Sequence, residues 1–218
     1  MAHHGVLFLD ELPEFSPQVL DSLRQPLETG ECLIARANHR VSYPARIQLV
    51  AAMNPCKCGM AGEPGFTCAR GPRCRSDYQA RISGPLLDRI DLRIDVAALK
   101  PSDLILTGAA ESSAVVAQRV AQAREVQENR YRLLGCANVT TNAGCPPNLL
   151  EEVASMSNDG RRLLYDVSEK LRLSARAYHR VLKVARTLAD LDGSANVGRV
   201  HLAEAVSYRT SSEMVTAG

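Results

Sequence analysis

The sequence predicts an α/β region built on a parallel sheet, followed by an all-α domain. Two short apolar runs, 6–9 and 47–53, each end in polar residues, as strands buried on both faces of a parallel sheet do. Beyond Pro101 the apolar residues recur with the period of helices instead. We therefore expect two domains, 1–103 and 104–218.

Two further elements are predicted in the first domain after its first strand. A helix is expected over 16–28, because Ser16 suits the capping position and Pro17 suits the first helical position. Two short runs, 32–36 and 40–43, predict a hairpin.

The remaining elements follow from changes in the apolar pattern. A third strand is predicted over 90–96, where Ile, Leu and Val alternate with charged residues. The segment 56–77, rich in Cys, Gly and Pro, is predicted to be a loop. Helices are expected in the second domain over 112–135, 146–156, 159–171, 174–191 and 199–208.

Composition narrows the class of protein. Hydrophobic residues make up 45% and charged residues 23%, the balance of a folded globular protein rather than a disordered one. The net charge of +2 requires any nucleic-acid-binding surface to be local. No apolar run approaches the ~20 residues that cross a bilayer, and the N-terminus lacks the cationic start of a secretory signal. We expect no membrane association and a cytoplasmic location.

The strand predicted at 6–9 ends in two carboxylates, Asp10 and Glu11. Ligands of open α/β sheets gather at that edge. There Asp10 can hold Mg²⁺, directly or through water, and Glu11 can orient or deprotonate a water that attacks a phosphate. Asn54, after the second strand, can orient the same water without adding negative charge. The alternatives are an acidic turn and a simple Asn-Pro turn.

Arg89 directly precedes the third predicted strand. From such a position a guanidinium can reach the nucleotide of a neighbouring subunit and stabilise the transferring phosphoryl group. The alternative is a surface ion pair with Asp88 or Asp91.

Arg176 lies in the first turn of the helix predicted at 174–191, and Arg180 and Lys183 continue the same face. The helix dipole favours anions at that end, so a cation there indicates that an anion comes to meet it. A solvated basic face is the alternative for Arg180 and Lys183.

Four cysteines lie within nineteen residues in the pattern Cys56-x-Cys58-x₉-Cys68-x₅-Cys74. Four thiolates are the ligands of a tetrahedral zinc site, which is one interpretation. The spacing lacks the usual Cys-x₂-Cys pairs, and free thiols in a surface loop are the other. Basic residues lie along this loop. In one interpretation they face the pore of a ring or a strand of DNA, and in the other they face only solvent.

Several long motifs together closely resemble the magnesium-chelatase-like AAA+ ATPases, specifically those of the ComM/YifB competence type. The resemblance spans nearly the whole chain. The motifs are GVLFLDELPEF (5–15), RQPLE (24–28), LVAAMNPC (49–56), ISGPLLDRID (82–91) and LSARAYHRVLKVARTLADL (173–191).

The resemblance implies a partial AAA+ P-loop NTPase core, lacking its Walker A strand, followed by an all-α lid. It implies that Asp10 and Glu11 are the Walker B pair, Asn54 the sensor 1 residue, Arg89 the arginine finger and Arg176 the sensor 2 arginine. It also implies ATP and Mg²⁺ as cofactors, a hexameric ring of identical subunits, and DNA as a partner. The implied process is branch migration in natural transformation and recombination.

The sequence departs from the family ahead of the Asp-Glu strand. Members carry a Lon-protease-like domain and a Gly-x-x-x-x-Gly-Lys-Ser/Thr loop there, and neither occurs in these 218 residues. We therefore expect a fragment that does not hydrolyse ATP alone. In the family's fold the missing strand lies between those ending at Asn54 and starting near Ile90, so an unpaired sheet edge that favours self-association is expected.

Two other functions remain open on the sequence. One is the motor subunit of a magnesium chelatase, which acts on a protein–porphyrin complex; the cysteine loop and the long motifs argue against it. The other is a non-catalytic oligomerisation or zinc-dependent interaction module.

Overall fold

Two compact units, Met1–Ile90 and Asp91–Gly218, make up the chain. The boundary predicted at 103/104 lies outside the described residues, as does much of the loop predicted at 56–77. The structure is a computed structural model that describes residues 2–36, 39–59, 68, 70–71, 73–97 and 111–209.

The first unit is α/β, as predicted. Its sheet pairs the first and fourth strands in parallel, with Leu9 opposite Ala51. The strands and helices described in this unit are β1 (Val6–Leu9), α1 (Pro17–Ser22), α2 (Arg24–Thr29), β2 (Glu31–Arg36), β3 (His39–Pro44), β4 (Gln48–Ala51), α3 (Arg73–Gln79) and α4 (Gly84–Leu87).

The helix predicted over 16–28 is two helices that meet at Leu23. Its start is confirmed, since the Ser16 hydroxyl caps α1 by accepting from the N–H of Val19 at 3.4 Å. The break has a local cause in Pro26, which has no N–H to donate to the carbonyl of Ser22 and whose ring crowds that carbonyl. α1 therefore ends at Ser22.

The predicted hairpin is confirmed as an antiparallel pair, β2 and β3, in which Glu31 lies opposite Pro44. The third predicted strand is wrong, because residues 90–97 contain no strand. Alternating apolar residues give a segment one apolar face, but a strand also needs the backbone of a neighbouring strand with which it can form hydrogen bonds. Here the N–H of Arg93 instead donates to the carbonyl of Tyr208, just beyond a helix, at 2.8 Å.

The second unit is helical, and the five predicted helices are all present. The longest buried face belongs to the fourth of them, in which Val181, Leu182, Ala185 and Ala189 are almost fully buried. The five helices are α5 (Ser113–Leu133), α6 (Pro147–Val153), α7 (Asn158–Lys170), α8 (Ala175–Leu191) and α9 (Arg199–Ser207).

A charged group is buried inside this helical unit. The carboxylate of Asp190, on α8, is fully buried and pairs with the guanidiniums of Arg130 and Arg186. The side-chain amide of Asn142 donates to it at 2.8 Å. A buried carboxylate is tolerated because these partners satisfy its oxygens, so the network fixes α5 against α8.

Candidate functional site

The carboxyl edge of the parallel sheet carries the acidic pair. Asp10 and Glu11 follow β1 directly, and both side chains are exposed. Glu11 has a φ of 50°, in the left-handed region that non-glycine residues rarely adopt, and its N–H donates to Asp10 Oδ1 at 2.9 Å. Such a conformation costs about 1–3 kcal/mol and persists where surrounding packing imposes it. The next two residues, Leu12 and Pro13, are buried and anchor the turn.

Asn54 reaches the same edge from β4. The strands stay paired beyond their ends, because the N–H of Ala52 donates to Leu9 at 2.9 Å and that of Leu12 donates to Ala52 at 3.0 Å. The carboxyl ends of parallel strands meet at one edge of a sheet. The Asp-Glu pair and Asn54, which is exposed, therefore flank one solvent-facing edge.

Arg89 is held by contacts within the first unit. Its guanidinium pairs with Glu28 on α2 and donates to the carbonyls of Arg24 at 3.1 Å and Pro85 at 2.7 Å. The side chain is 14% exposed. The ion pair is thus with Glu28, a partner that the sequence did not indicate.

Arg176 is exposed in the first turn of α8, in the second unit. The two cations that follow it on the same face also make contacts. Arg180 pairs with Asp91, and Lys183 donates to the carbonyl of Ala143 at 2.7 Å. Burial lowers the pKa of Lys183. The basic face is therefore partly taken up by contacts inside the helical unit.

A short helix, α3, occupies part of the segment predicted as a loop. Its Tyr78 is 5% exposed, and burial raises the pKa of the hydroxyl, with further contributions from the carboxylates of Glu14 and Glu11. Just beyond α3, Arg81 pairs with Glu14 at 3.3 Å. α3 thus lies beside the acidic turn. The signal available in the sequence was the spacing of Cys74 and Tyr78, four residues apart on one helical face.

The four predicted metal ligands come together. The Sγ atoms of Cys56, Cys58, Cys68 and Cys74 all lie within 4.8 Å of one another. Cys56 and Cys74 are buried, and the other two are half-buried. The contact with Cys58 raises the pKa of the Cys68 thiol to about 12.

A cavity of about 230 Å³ adjoins this cluster. Cations dominate its charged lining, with one carboxylate. It is lined by Lys57, Arg70, Cys74, Asp77, Tyr78 and Arg81.

Two family models together match almost the whole chain. The family model of the magnesium chelatase subunit ChlI matches residues 1–104, and the model of the C-terminal part of ChlI matches residues 110–209. Within the part of the chain that the structure describes, no helix is long and apolar enough to cross a membrane.

Individual relatives cover almost the whole chain. The competence protein ComM of Haemophilus influenzae is 46% identical over 210 residues, which are 96% of this chain and 40% of ComM. The uncharacterised protein YifB of Escherichia coli is 43% identical over 210 residues, again 96% of this chain and 40% of the relative. The uncharacterised protein Rv2897c of Mycobacterium tuberculosis is 41% identical over 208 residues, 95% of this chain and 40% of the relative. The chain therefore spans about 40% of the length of these relatives.

Proposed function

This chain belongs to the magnesium-chelatase-like family, and from that membership we propose that it supplies the hydrolytic edge and the lid of an ATP-driven motor acting on DNA. The observation that carries the proposal is the parallel pairing of β1 and β4, whose ends bring Asp10, Glu11 and Asn54 to one exposed edge. We assign the hydrolytic core to 1–103 and the lid to 104–218.

The exposed edge has an oxygen ligand suited to the metal ion that accompanies a nucleotide. Asp10 offers an open carboxylate, the type of hard oxygen ligand that Mg²⁺ binds. When bound, Mg²⁺ with ATP neutralises charge on the phosphates during transfer. The ligand chemistry of the edge therefore fits Mg²⁺.

Each residue at this edge has a step of its own. Glu11 takes a proton from the attacking water, and its left-handed backbone directs the side chain differently from a regular strand end. Asn54 orients the same water through its neutral amide, which adds no repulsion toward the phosphate. To Arg176, which lies in the second unit in the first turn of α8, we assign a contact with nucleotide phosphate from the family resemblance alone.

Arg89 acts on a neighbouring copy in a ring of identical subunits, hexameric by family resemblance. In a single chain its guanidinium pairs with Glu28 and is oriented by the carbonyls of Arg24 and Pro85. Those contacts engage all three guanidinium nitrogens and leave the side chain 14% exposed, so action on a neighbouring copy requires the guanidinium to leave Glu28. Cation stabilisation of the transferring phosphoryl group is the role we assign to it.

The substrate we propose is branched DNA. The relative with 46% identity is named a competence protein, and the resemblance to that type implies branch migration during natural transformation. The family models, in contrast, are named for a magnesium chelatase subunit, so a porphyrin-linked partner is the second candidate. Stimulation of ATP hydrolysis by branched DNA, and not by a porphyrin-binding protein, distinguishes the first from the second.

The test is steady-state ATP hydrolysis with and without branched DNA. The 218 residues contain no Gly-x-x-x-x-Gly-Lys-Ser/Thr motif, so the assay uses both this chain and a version extended at its N-terminus by a segment with that motif. We expect DNA-stimulated hydrolysis in the extended protein, and a loss of about 10²- to 10⁴-fold in Glu11→Gln.

Glu31→Gln is the matched control, because Glu31 lies on the exposed hairpin and bonds to Ser42. It should hydrolyse ATP at the unaltered rate. An extended protein that assembles but does not hydrolyse ATP would overturn the proposal and leave a non-catalytic interaction module.

A further inference from the structure

The four clustered cysteines come from separate stretches of backbone. Cys56 and Cys58 follow β4, Cys68 lies farther along the chain, and Cys74 lies in the first turn of α3. Two of the sulfur–sulfur distances, Cys56 to Cys58 and Cys58 to Cys68, are 3.1 Å. Three stretches thus converge, the first with two sulfurs and the other two with one each.

Two similar turns build the cluster. The N–H of Gly59 donates to the carbonyl of Cys56 at 3.0 Å, and the N–H of Gly71 donates to that of Cys68 at 3.0 Å. Both glycines have left-handed backbones, with φ of 76° and 84°. Each turn therefore has the form Cys-x-x-Gly and presents its first cysteine to the cluster. The second turn continues into α3, where the N–H of Cys74 donates to Gly71 at 3.2 Å.

The sulfur spacing fits a single ion. A Zn–S bond of about 2.3 Å places the sulfurs of a tetrahedron about 3.8 Å apart, between the 3.1 Å contacts and the 4.8 Å limit of the cluster. A disulfide needs sulfurs at about 2.05 Å and joins two cysteines rather than four. An iron–sulfur cluster distributes its cysteines over several irons and requires wider spacing.

Charge around the cluster also fits a metal thiolate. One Zn²⁺ with four thiolates carries two net negative charges, which are costly to bury without compensation. Among the described residues, Lys57, Arg70 and Arg81 line the adjoining cavity, and Asp77 is the one carboxylate beside them. These three cations thus lie close enough to the cluster to compensate part of its charge.

We propose that Cys56, Cys58, Cys68 and Cys74 hold one structural Zn²⁺ that ties the segment after Asn54 to α3. Further contacts follow the same path, since Gln79 Nε2 on α3 donates to the carbonyl of Pro55 at 3.3 Å. Tyr78 on the same helix is buried near the carboxylates of Glu14 and Glu11. The metal therefore holds α3, which lies beside the acidic turn, to the segment that follows Asn54.

Any effect of zinc on ATP hydrolysis rests on the proposed function. The proposal that the four cysteines bind zinc does not rest on it. Asn54 lies two residues before the first ligand, so zinc limits the positions that its amide can adopt. Metal binding is measured without nucleotide, and a failure of either proposal is distinguishable from a failure of the other.

The first test is a titration of the reduced, metal-free chain with Co²⁺, which reports tetrahedral thiolate coordination by its visible and charge-transfer absorption. Saturation is expected at about one Co²⁺ per chain, followed by displacement with Zn²⁺. The half-buried ligands give the variants, Cys58→Ser and Cys68→Ser, because their replacement disturbs the core less. Each should lower the thiolate band and weaken binding by about 100-fold or more.

Cys32→Ser is the control, since Cys32 lies on β2 outside the cluster, and it should bind Co²⁺ like the unaltered chain. Absence of a thiolate band in the unaltered chain, or a band that persists in both ligand variants, would overturn the site. Iron in place of zinc in the purified chain would overturn the zinc assignment.

The second test measures the structural role by amide hydrogen exchange. Removal of the metal with a chelator should abolish protection in α3 and leave α8 unchanged, because α8 lies in the other unit. Equal protection of α3 with and without metal would show that zinc, even if bound, does not hold this helix.

Discussion

In the second unit thirteen buried apolar side chains pack into one core, whereas the corresponding cluster in the first unit has four, Leu12, Leu20, Ile82 and Leu86. Both counts concern the described residues. Val6 and Phe8 on β1 are each 59% exposed, although they belong to an apolar strand. A unit with so small a core needs another source of rigidity, such as a bound metal or a partner. The proposed chemistry thus lies in the unit that has the weaker core.

The largest expected effect concerns the buried charge of the second unit. Asp190→Ala leaves Arg186, itself 1% exposed, without its carboxylate, and should cost about 3–5 kcal/mol of unfolding free energy. Urea unfolding followed by circular dichroism measures the loss. Asp166→Ala, at an exposed position on α7, is the control and should change stability little. A loss in Asp190→Ala no larger than the control would show that the network does not hold the unit together.

A smaller effect should appear on acidification. Burial alone would raise the pKa of Asp190, but hydrogen bonds from Arg130 and Asn142 outweigh it and hold that pKa below its ordinary value. The folded state therefore favours the carboxylate, and the stability it contributes is present above about pH 4 and lost as pH falls through the folded pKa. The urea midpoint of the second unit should fall below pH 4 more steeply in the unaltered chain than in Asp190→Asn. Equal slopes would contradict this account.

Zinc binding by the first unit should be sensitive to substitutions in its two Cys-x-x-Gly turns. Gly71 has a φ of 84°, so Gly71→Ala should cost about 1–2 kcal/mol, equivalent to about 5- to 30-fold in zinc affinity. Gly84→Ala is the matched control, because Gly84 has ordinary backbone geometry and open space where the methyl group would lie. Competition with a chromogenic chelator measures both affinities. The assignment of the turn is contradicted if the two variants bind zinc equally well.

The smallest effect compares equivalent helix caps in the two units. The hydroxyl of Ser16 accepts from Val19 at 3.4 Å, and that of Ser174 accepts from Ala177 at 3.2 Å. Ser16→Ala and Ser174→Ala should each cost about 1 kcal/mol. Hydrogen exchange should show a loss confined to α8 for Ser174→Ala and one that spreads from α1 through the small core for Ser16→Ala. If the loss of protection stays within the substituted helix in both variants, the two units do not differ in local cooperativity.

The second unit was largely predictable because its helices bury regular apolar faces. The effects of single residues and of missing strand partners on a regular pattern were harder to predict. Pro26 splits the first predicted helix, and 90–96 has the alternation of a strand but no strand partner in the described structure. The Arg130–Asp190 pair joins residues sixty positions apart, and no local pattern reports such a contact.

The candidate site was predictable where it depends on strand ends. Asp10, Glu11 and Asn54 follow apolar runs, and parallel pairing brings those ends to one edge. Tyr78 and Glu28 were not predicted to contact the site residues, because their positions depend on tertiary packing. The cysteine spacing was irregular in sequence, yet the four sulfurs converge because two turns and a helix start present them.

The most direct test of the proposed hydrolytic edge separates ATP binding from ATP hydrolysis in the extended protein. Glu11→Gln should bind ATP as tightly as the unaltered protein, because the side chain acts on water rather than on the nucleotide, and its single-turnover hydrolysis should fall by at least about 100-fold. Hydrolysis at the unaltered rate in Glu11→Gln, with ATP bound equally well, would contradict the account and remove Glu11 from the chemistry.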